Sequence, residues 1–329
     1  MSSVKVILVT GASGFIGGNF CKWLLQNTDH KIVGVDDLSG SVTEENFPND
    51  SRCSFVKINI NQENFDNVFS IFKPDVCYHM AAYASEGRSN HIRRFIHHNN
   101  TVGSMNVINC CINHNCKLIF TSSVAIYSGT PPFTEKTIPN PIDEYALSKW
   151  TTEKSIQIAG EVNGLDWCIV RPRNVYGVGQ SLLDPSRNLF GIFCYNARKG
   201  LPLNIFGSGE NKRTFTYIDD LMHPLYSAMF WTKEVFNIGS AIPYSIKEAT
   251  EIFMDVSEYQ NYVHTEAREE VPDAICSIEK SVSCLDFVDK TSLREGLEKM
   301  WAWAKYRRIG ERLTPPQLEV TKNAHISLL

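Results

Sequence analysis

Residues 4–17 read VKVILVTGASGFIG. Val4, Val6, Ile7, Leu8 and Val9 make an apolar run that stops at Thr10. The run is too short to span a membrane and suits a parallel strand buried on both faces. Gly11, Gly14 and Gly17 follow, and from Phe15 onward Ile16, Phe20, Trp23, Leu24 and Leu25 recur at helical spacing. A strand, a glycine turn and a helix, in that order, aim the first helical amides at a phosphate. Glycine permits left-handed backbone angles there and lets a pyrophosphate approach closely. The turn from Gly11 to Gly17, with Ser13, Phe15 and Ile16 inside it, is the expected dinucleotide contact. A glycine-rich turn without a ligand would look the same, so the flanking sequence decides.

A second strand-like run, residues 31–35, ends at Asp36, about 20 residues past the last glycine, where an acid grips the adenosine ribose. A carboxylate accepts from both ribose hydroxyls and repels a 2′-phosphate. Asp37 follows, with no arginine directly after it, which favours NAD over NADP.

Bulk properties narrow the class. The 329 residues, 43% hydrophobic and 21% charged, describe a folded globular chain of one large or two modest domains. A net charge of −4 gives no support to nucleic-acid binding, which shows as a basic excess. Ten cysteines are scattered without a C-x-x-C pair, so neither a zinc site nor a dithiol motif is expected. Reduced thiols in a cytoplasmic enzyme are the expectation. The first strand begins almost at once, leaving no space for a signal peptide. No run approaches about 18 apolar residues, so no membrane span is expected.

Further strands are expected at residues 55–60, 75–80, 117–120 and 167–171, and helices at 62–72, 91–115 and 144–160. Asn59 and Ile60 close the third strand. Met80, Ala81 and Ala82 follow the fourth; small residues there suit either ligand approach or simple packing. Thr121, Ser122 and Ser123 stand at the carboxyl end of the fifth, where ligands bind in open α/β sheets. Strands alternating with helices predict an α/β, Rossmann-type doubly wound parallel sheet. From Gly177 glycines and prolines interrupt shorter segments. Residues 1–176 are therefore read as an NAD-binding domain, to which residues 213–222 and 235–258 return. Residues 177–329 are read mainly as a smaller C-terminal substrate-binding domain. Strands at 215–218 and 235–238, helices at 246–259 and 293–307, and an extended or loose tail from Thr314 complete the expectation.

Tyr145 and Lys149 carry the chemistry. Four residues apart on a helix, they share one face. An ammonium beside a phenol favours the phenolate and draws its pKa down from about 10. Tyr145 then serves as base for a carbinol proton and as acid for the return step. Ser123 can hydrogen-bond the same oxygen. A surface helix pair would show the same spacing; the preceding Ser-Ser strand end and the dinucleotide turn favour catalysis.

These motifs resemble the extended short-chain dehydrogenase/reductase family, and within it the UDP-glucose 4-epimerase-like, nucleotide-sugar branch. They are TGASGFIG from Thr10, Asp36, HMAA from His79, Asn100 ahead of Val102-Gly103, SSVAIY from Ser122 and YALSK from Tyr145. RPRNVYG from Arg171, RTFTYIDD from Arg213, FNIGS from Phe236 and, more faintly, EAREEVPD from Glu266 continue the match.

The resemblance implies tightly bound NAD, held also by Asp37, Asn59, Ile60, Met80, Ala81, Ala82, Asn100, Ser122, Lys149 and Arg171. It implies a nucleotide-diphosphate sugar, most simply a UDP-sugar, with Arg213 and Arg268 on the diphosphate and Asn174 and Asn188 nearby. In such an epimerase C4 is oxidised and the hydride returns to the other face. The resemblance further implies a homodimer through residues 91–115 and 144–160.

Three departures matter; the first is Asn59, where the family often has an Asp on adenine and an amide can still hydrogen-bond the ring. Related 4,6-dehydratases carry Asp-Glu directly after the residue matching Ser123, where this chain has Val124 and Ala125, which transfer no protons. Residues 84–94, with Glu86, Arg88, His91 and Arg93, depart from the epimerase pattern and point to an unfamiliar sugar. The alternatives are an NDP-sugar 4,6-dehydratase or C4 oxidoreductase making a keto sugar, and an NAD-binding regulatory protein without catalysis.

Overall fold

The computed structural model describes residues 3–40, 46–185, 189–267 and 275–324. Strand β1 (Val6–Thr10) leads into α1 (Phe15–Asn27), then β2 (Lys31–Asp36), β3 (Cys53–Lys57), α2 (Asp66–Phe72) and β4 (Val76–His79). Next come α3 (Glu86–Ser89), α4 (Arg93–Ile96), α5 (Gly103–Asn113), β5 (Lys117–Thr121), α6 (Glu144–Val162) and β6 (Trp167–Pro172). The later elements are β7 (Val175–Tyr176), α7 (Leu189–Lys199), β8 (Leu203–Phe206), β9 (Lys212–Thr214), β10 (Thr216–Tyr217), α8 (Ile218–Ser227) and β11 (Glu234–Ile238). Then follow β12 (Pro243–Ser245), α9 (Ile246–Ser257), β13 (Tyr262–Thr265), α10 (Glu279–Leu285) and α11 (Leu293–Tyr306).

Seven strands form one sheet in the order β11-β6-β5-β4-β1-β2-β3, and every neighbouring pair is parallel. This is the expected Rossmann-type fold. Residue alternation sorts the core into two layers. Ile7 and Val9 pack with Phe20, Leu24, Ile218 and Leu225, on the α1–α8 side. Leu8 and Val33 pack with Val68, Val107, Ile108 and Ile156, on the α2–α5–α6 side. All four residues of β4 and all six of β6 are buried, as central parallel strands covered on both faces require. The chain leaves β1 toward β2 and β3, then crosses back so that β4 flanks β1 on the other side. That reversal opens a crevice beyond the carboxyl ends of β1 and β4.

The α1-side core continues without a break into Tyr176, Phe190, Phe193, Leu203, Phe253 and Leu297. The later elements thus pack directly on the first. Three short ladders, β7 with β10, β8 with β13 and β9 with β12, stiffen this part.

Several expected boundaries move. The third strand occupies Cys53–Lys57, starting two residues earlier and ending three earlier than the expected 55–60, because Cys53 pairs with Ile32 and Lys57 with Asp36. Ile58, Asn59 and Ile60 leave the sheet and line the crevice. The expected strand at 215–218 ends at Tyr217, where α8 begins. The expected single helix at 91–115 starts at Arg93 and passes through a π-helical stretch, His97–Val102, before α5. Residues 314–324 of the expected tail are extended and bonded to the rest of the chain.

All ten cysteines are free thiols, and all but Cys53 and Cys284 are buried. Burial pushes the Cys168 thiol up to about 12, so these residues behave as small hydrophobes.

Candidate active site

A cleft of about 2600 Å³ runs from the glycine turn to the chain's C-terminal segment. At one end β1 stops at Thr10 and Gly11 takes φ +71°. A Cβ on Gly11 would lie 2.9 Å from the Ala81 backbone, and one on Gly17 would lie 2.1 Å from the Gly11 carbonyl oxygen. The turn is therefore a backbone-lined cradle that side chains would fill. Gly14 precedes α1 without any side-chain cap, so the first-turn amides are left for a ligand. Gly11, Gly14, Phe15, Ile16 and Gly17 all line the cleft. This cradle fits the pyrophosphate of a dinucleotide.

Asp36 closes β2 beside it. Its Oδ2 accepts from Ser13 N (2.9 Å) and its Oδ1 from Leu38 N (2.8 Å). Burial pushes the Asp36 carboxyl up, and these amides oppose the shift. Ser13 itself is fully buried and serves through its amide. Asp37 and Asn59 line the cleft next to Asp36, joined by an Asn59 Nδ2 to Asp37 Oδ2 bond of 2.5 Å. Ile60, Met80, Ala81 and Ala82 complete this wall.

The crevice between β1 and β4 is held by a directional hydrogen-bond chain. Thr10 Oγ1 accepts from Met80 N and Ala81 N, both 3.2 Å. Its one hydrogen therefore goes to His79 Nδ1 at 2.7 Å. That fixes the neutral tautomer, whose Nε2–H donates to Ser104 Oγ at 2.8 Å. Burial lowers the His79 pKa to about 3, with Lys149 adding repulsion. Sequence reading quoted His79 within a motif but gave it no role.

Besides Ser13, two residues expected at the cofactor are placed off the cleft wall. Asn100 is buried and clamps Tyr83, accepting from its N (2.8 Å) and donating to its O (3.0 Å) and to Ser148 Oγ (3.2 Å). Arg171 shares the sheet face of Trp167 and Ile169, which packs on α6. There its Nε and Nη2 meet the two Glu153 carboxylate oxygens at 2.9 and 2.5 Å, while Nη1 donates to Tyr127 OH. Removing one partner of such a buried pair costs about 3–5 kcal/mol, so its effect is structural.

The next wall is the end of β5 with α6. Ser123 Oγ accepts from Ala125 N (3.1 Å) and starts the short turn Val124–Ile126. Thr121 Oγ1 and Ser122 Oγ are buried and have no partner among the described residues, and both residues line the cleft. Asp143 caps α6 by accepting from Ala146 N at 2.8 Å. One turn apart on that helix, Tyr145 and Lys149 reach the cleft together with Ser123. Lys149 Nζ donates to Thr121 O (2.8 Å) and lies 4.9 Å from the Phe120 ring centre and 5.9 Å from that of Tyr145. Burial lowers the Lys149 pKa to about 7, against the pull of Glu153. A negative charge beside it, such as a phenolate, would restore the ammonium. Hydroxyl, phenol and amine converging on one wall can deprotonate a carbinol and return the proton.

Beyond this wall the cleft is lined by Asn174 and Arg213. Asn174 Nδ2 donates to Thr214 O (2.9 Å), and Arg213 Nη1 to Lys212 O (2.9 Å). Asn188 and Arg268 lie outside the described residues. Sequence reading assigned no site role to Trp303, Arg312, Pro316, Gln317 or Glu319, which line the cleft. Of the four side chains singled out at 84–94, Glu86, Arg88 and His91 line the cleft, whereas Arg93 turns to Glu144. Among the described residues no metal-binding cluster occurs, and no helix is long and apolar enough to cross a membrane.

Comparison with known proteins agrees with this geometry. Residues 7–239 match the model of the NAD dependent epimerase/dehydratase family. A UDP-glucose 4-epimerase of Mycolicibacterium smegmatis is 32% identical over 251 residues, covering 73% of this chain and 79% of that one. The crystal structure of Thermotoga maritima UDP-glucose 4-epimerase with UDP-glucose has a TM-score of 0.84 at 29% identity, over 91% of this chain and 98% of that one. UDP-glucuronic acid 4-epimerase from Bacillus cereus, in complex with UDP-glucuronic acid and NAD, has a TM-score of 0.81 at 26% identity, over 91% and 99%. Relatives with other reactions, a dTDP-glucose 4,6-dehydratase and a nucleotide-sugar decarboxylase, match at 27% and 26% identity.

Proposed function

Because the chain belongs to the NAD-dependent epimerase/dehydratase family, we propose that it is an NAD-dependent UDP-sugar 4-epimerase. One observation carries the choice among the family's reactions. Ser123, Tyr145 and Lys149 share the cleft wall with Val124 and Ala125, the positions where dehydratase chemistry needs acids. When bound, NAD would supply a hydride acceptor for the hydrogen on C4 of the sugar and, once reduced, the donor for its return to the opposite face. The chain supplies the rest. Tyr145 takes the C4 hydroxyl proton and gives it back, Lys149 favours the phenolate and holds the nicotinamide ribose, and Ser123 orients the sugar oxygen. The Gly11–Gly17 cradle holds the pyrophosphate and Asp36 the adenosine ribose. Arg213, with Arg268, Asn174 and Asn188, holds the nucleotide diphosphate, where a guanidinium fork suits phosphate.

In this reading residues 1–176, with returns at 213–222 and 235–258, carry the cofactor and residues 177–329 mainly the sugar nucleotide. The chain works in the cytoplasm as a homodimer. Support for the dimer comes from apolar side chains left exposed on the helical stretch before α5 and on α6: Val102 (46%), Leu147 (39%), Ile158 (60%) and Val162 (74%).

The test is direct. Purified protein incubated with UDP-glucose, UDP-N-acetylglucosamine and UDP-glucuronate, without added NAD, should yield C4 epimers by NMR. No epimer from any of them, with NAD bound, overturns the reading. Accumulated 4-keto sugar favours the dehydratase reading, and stoichiometric NADH the oxidoreductase. Tyr145→Phe should lower turnover about a thousandfold while bound NAD is unchanged; full activity in that variant would remove Tyr145 from the reaction.

A further inference from the structure

Residues 88–97 are gripped from two sides. On one side is the C-terminal segment. Arg88 donates through Nε and Nη2 to Pro316 O, at 3.1 and 2.8 Å. The His91 carbonyl accepts from Glu319 N (2.8 Å) and Val320 N (3.2 Å), and His91 Nδ1 donates to Val320 O (2.9 Å). The Glu319 carboxylate accepts from Arg94 N and Phe95 N, each at 2.9 Å. Helix α4 has no side-chain cap of its own, since Ile92 stands at that position. Glu319 therefore supplies the acceptor that a helix start requires. The near end of the segment is tied to the later elements, with Leu313 N on Leu183 O (2.9 Å) and Arg312 Nη2 on Asn196 Oδ1 (2.6 Å).

On the other side is the start of α6. Asn90 Oδ1 accepts from Glu144 N (3.1 Å), and Ser89 Oγ donates to Asp143 Oδ1 (3.4 Å). Arg93 Nε donates to Glu144 Oε1 at 2.6 Å, and His97 Nε2 meets Glu144 Oε2 at 2.9 Å. Burial would raise the Glu144 carboxyl, but His97 and Arg93 outweigh it and hold the pKa below its ordinary value. All four bonds act on the residues directly before Tyr145.

We propose that residues 313–323 form a strap that positions Tyr145, acting through Glu319 on residues 88–97 and through Glu144 on the first turn of α6. The inference rests on the reading of Tyr145 as the acid and base. Glu144 and Glu319 are positioning residues, since neither needs to touch the reacting atoms. Pro316, Gln317 and Glu319 also face the cleft, so a sugar nucleotide seated there presses on the strap that aligns the tyrosine.

The test uses the cofactor-loaded protein with Glu319→Ala, Glu319→Gln and Glu144→Ala, and Glu311→Gln, just before the strap, as a charge control. In Glu319→Ala, amide hydrogen exchange should quicken over residues 93–102 and 144–149 while β1 and β4 stay protected. On whichever UDP-sugar the wild type converts, kcat should fall about tenfold or more in both alanine variants, with KM within threefold and bound NAD unchanged. Glu319→Gln keeps one acceptor oxygen and should recover part of the loss. The acid limb of the kcat profile should move in the alanine variants, which a merely stabilising contact would not cause. Unchanged exchange at 144–149 in Glu319→Ala, or kcat within twofold of wild type, overturns the proposal. If the alanine variant unfolds, the glutamine variant decides by the same two readouts. A wild type inert toward every UDP-sugar would defeat the epimerase reading, while the exchange result would still decide the coupling.

Discussion

The two ends of the cleft are built by opposite means. The cofactor end is backbone: glycines at fixed spacing, a helix start and one carboxylate, with Ser13 and Asp36 joined across 23 positions. The far end is side chain: Arg88 reaches Pro316 across 228 positions and Arg94 reaches Glu319 across 225. A backbone cradle tolerates almost no change because its shape comes from what is missing. A side-chain wall can be rebuilt residue by residue, which suits the part of a family that must distinguish sugars.

The comparison can be broken first at Gly17. Adding a methyl group there places Cβ 2.1 Å from the Gly11 carbonyl oxygen, so Gly17→Ala should strip NAD from the purified protein and lower its melting temperature. Retained NAD would mean that the cradle is not rigid. His79 gives the next effect. Its folded pKa, about 3, lies below the ordinary value of 6.5. Between those values the unfolded chain binds a proton that the folded chain refuses, so this contribution to stability is full above 6.5 and lost as pH falls toward 3. Denaturant melts at stepped pH should show that slope in the wild type and a shallower one in His79→Leu, even though the variant is less stable outright. Equal slopes would show that the β1–β4 junction does not govern acid sensitivity. The smallest effect is expected at Asp36. Asp36→Asn keeps acceptor oxygen but loses charge, and titration should show about tenfold weaker NAD binding with a smaller preference over NADP. An unchanged preference would place the ribose elsewhere.

What the sequence discloses follows the same division. The sheet was readable because buried parallel strands are continuous apolar runs and the glycine turn has its own spacing. Tyr145, Lys149 and Ser123 were readable because a helix period and a strand end bring them to one wall. Arg171 sits off the cleft wall on Glu153, and extending the alternation of Trp167 and Ile169 by one step puts it there, against α6. The π stretch His97–Val102 holds a single apolar residue, Val102, so apolar spacing carries no signal for it. The strap has no periodic signal. Pro315 and Pro316 announce an extended chain, but its partners, Arg88, His91 and the amides of Arg94 and Phe95, lie too far away in sequence for any spacing rule to connect them.

The span of those strap bonds also orders events in time. A contact that closes a loop of more than two hundred residues forms only after the intervening chain has collapsed, since loop closure must be met before the contact rewards it. On the ribosome the glycine turn and Asp36 emerge close together, whereas Glu319 emerges more than two hundred residues after Arg94. A nascent chain that has passed Asp36 but not Glu319 therefore holds the glycine turn and its carboxylate while the strap bonds are still unmade.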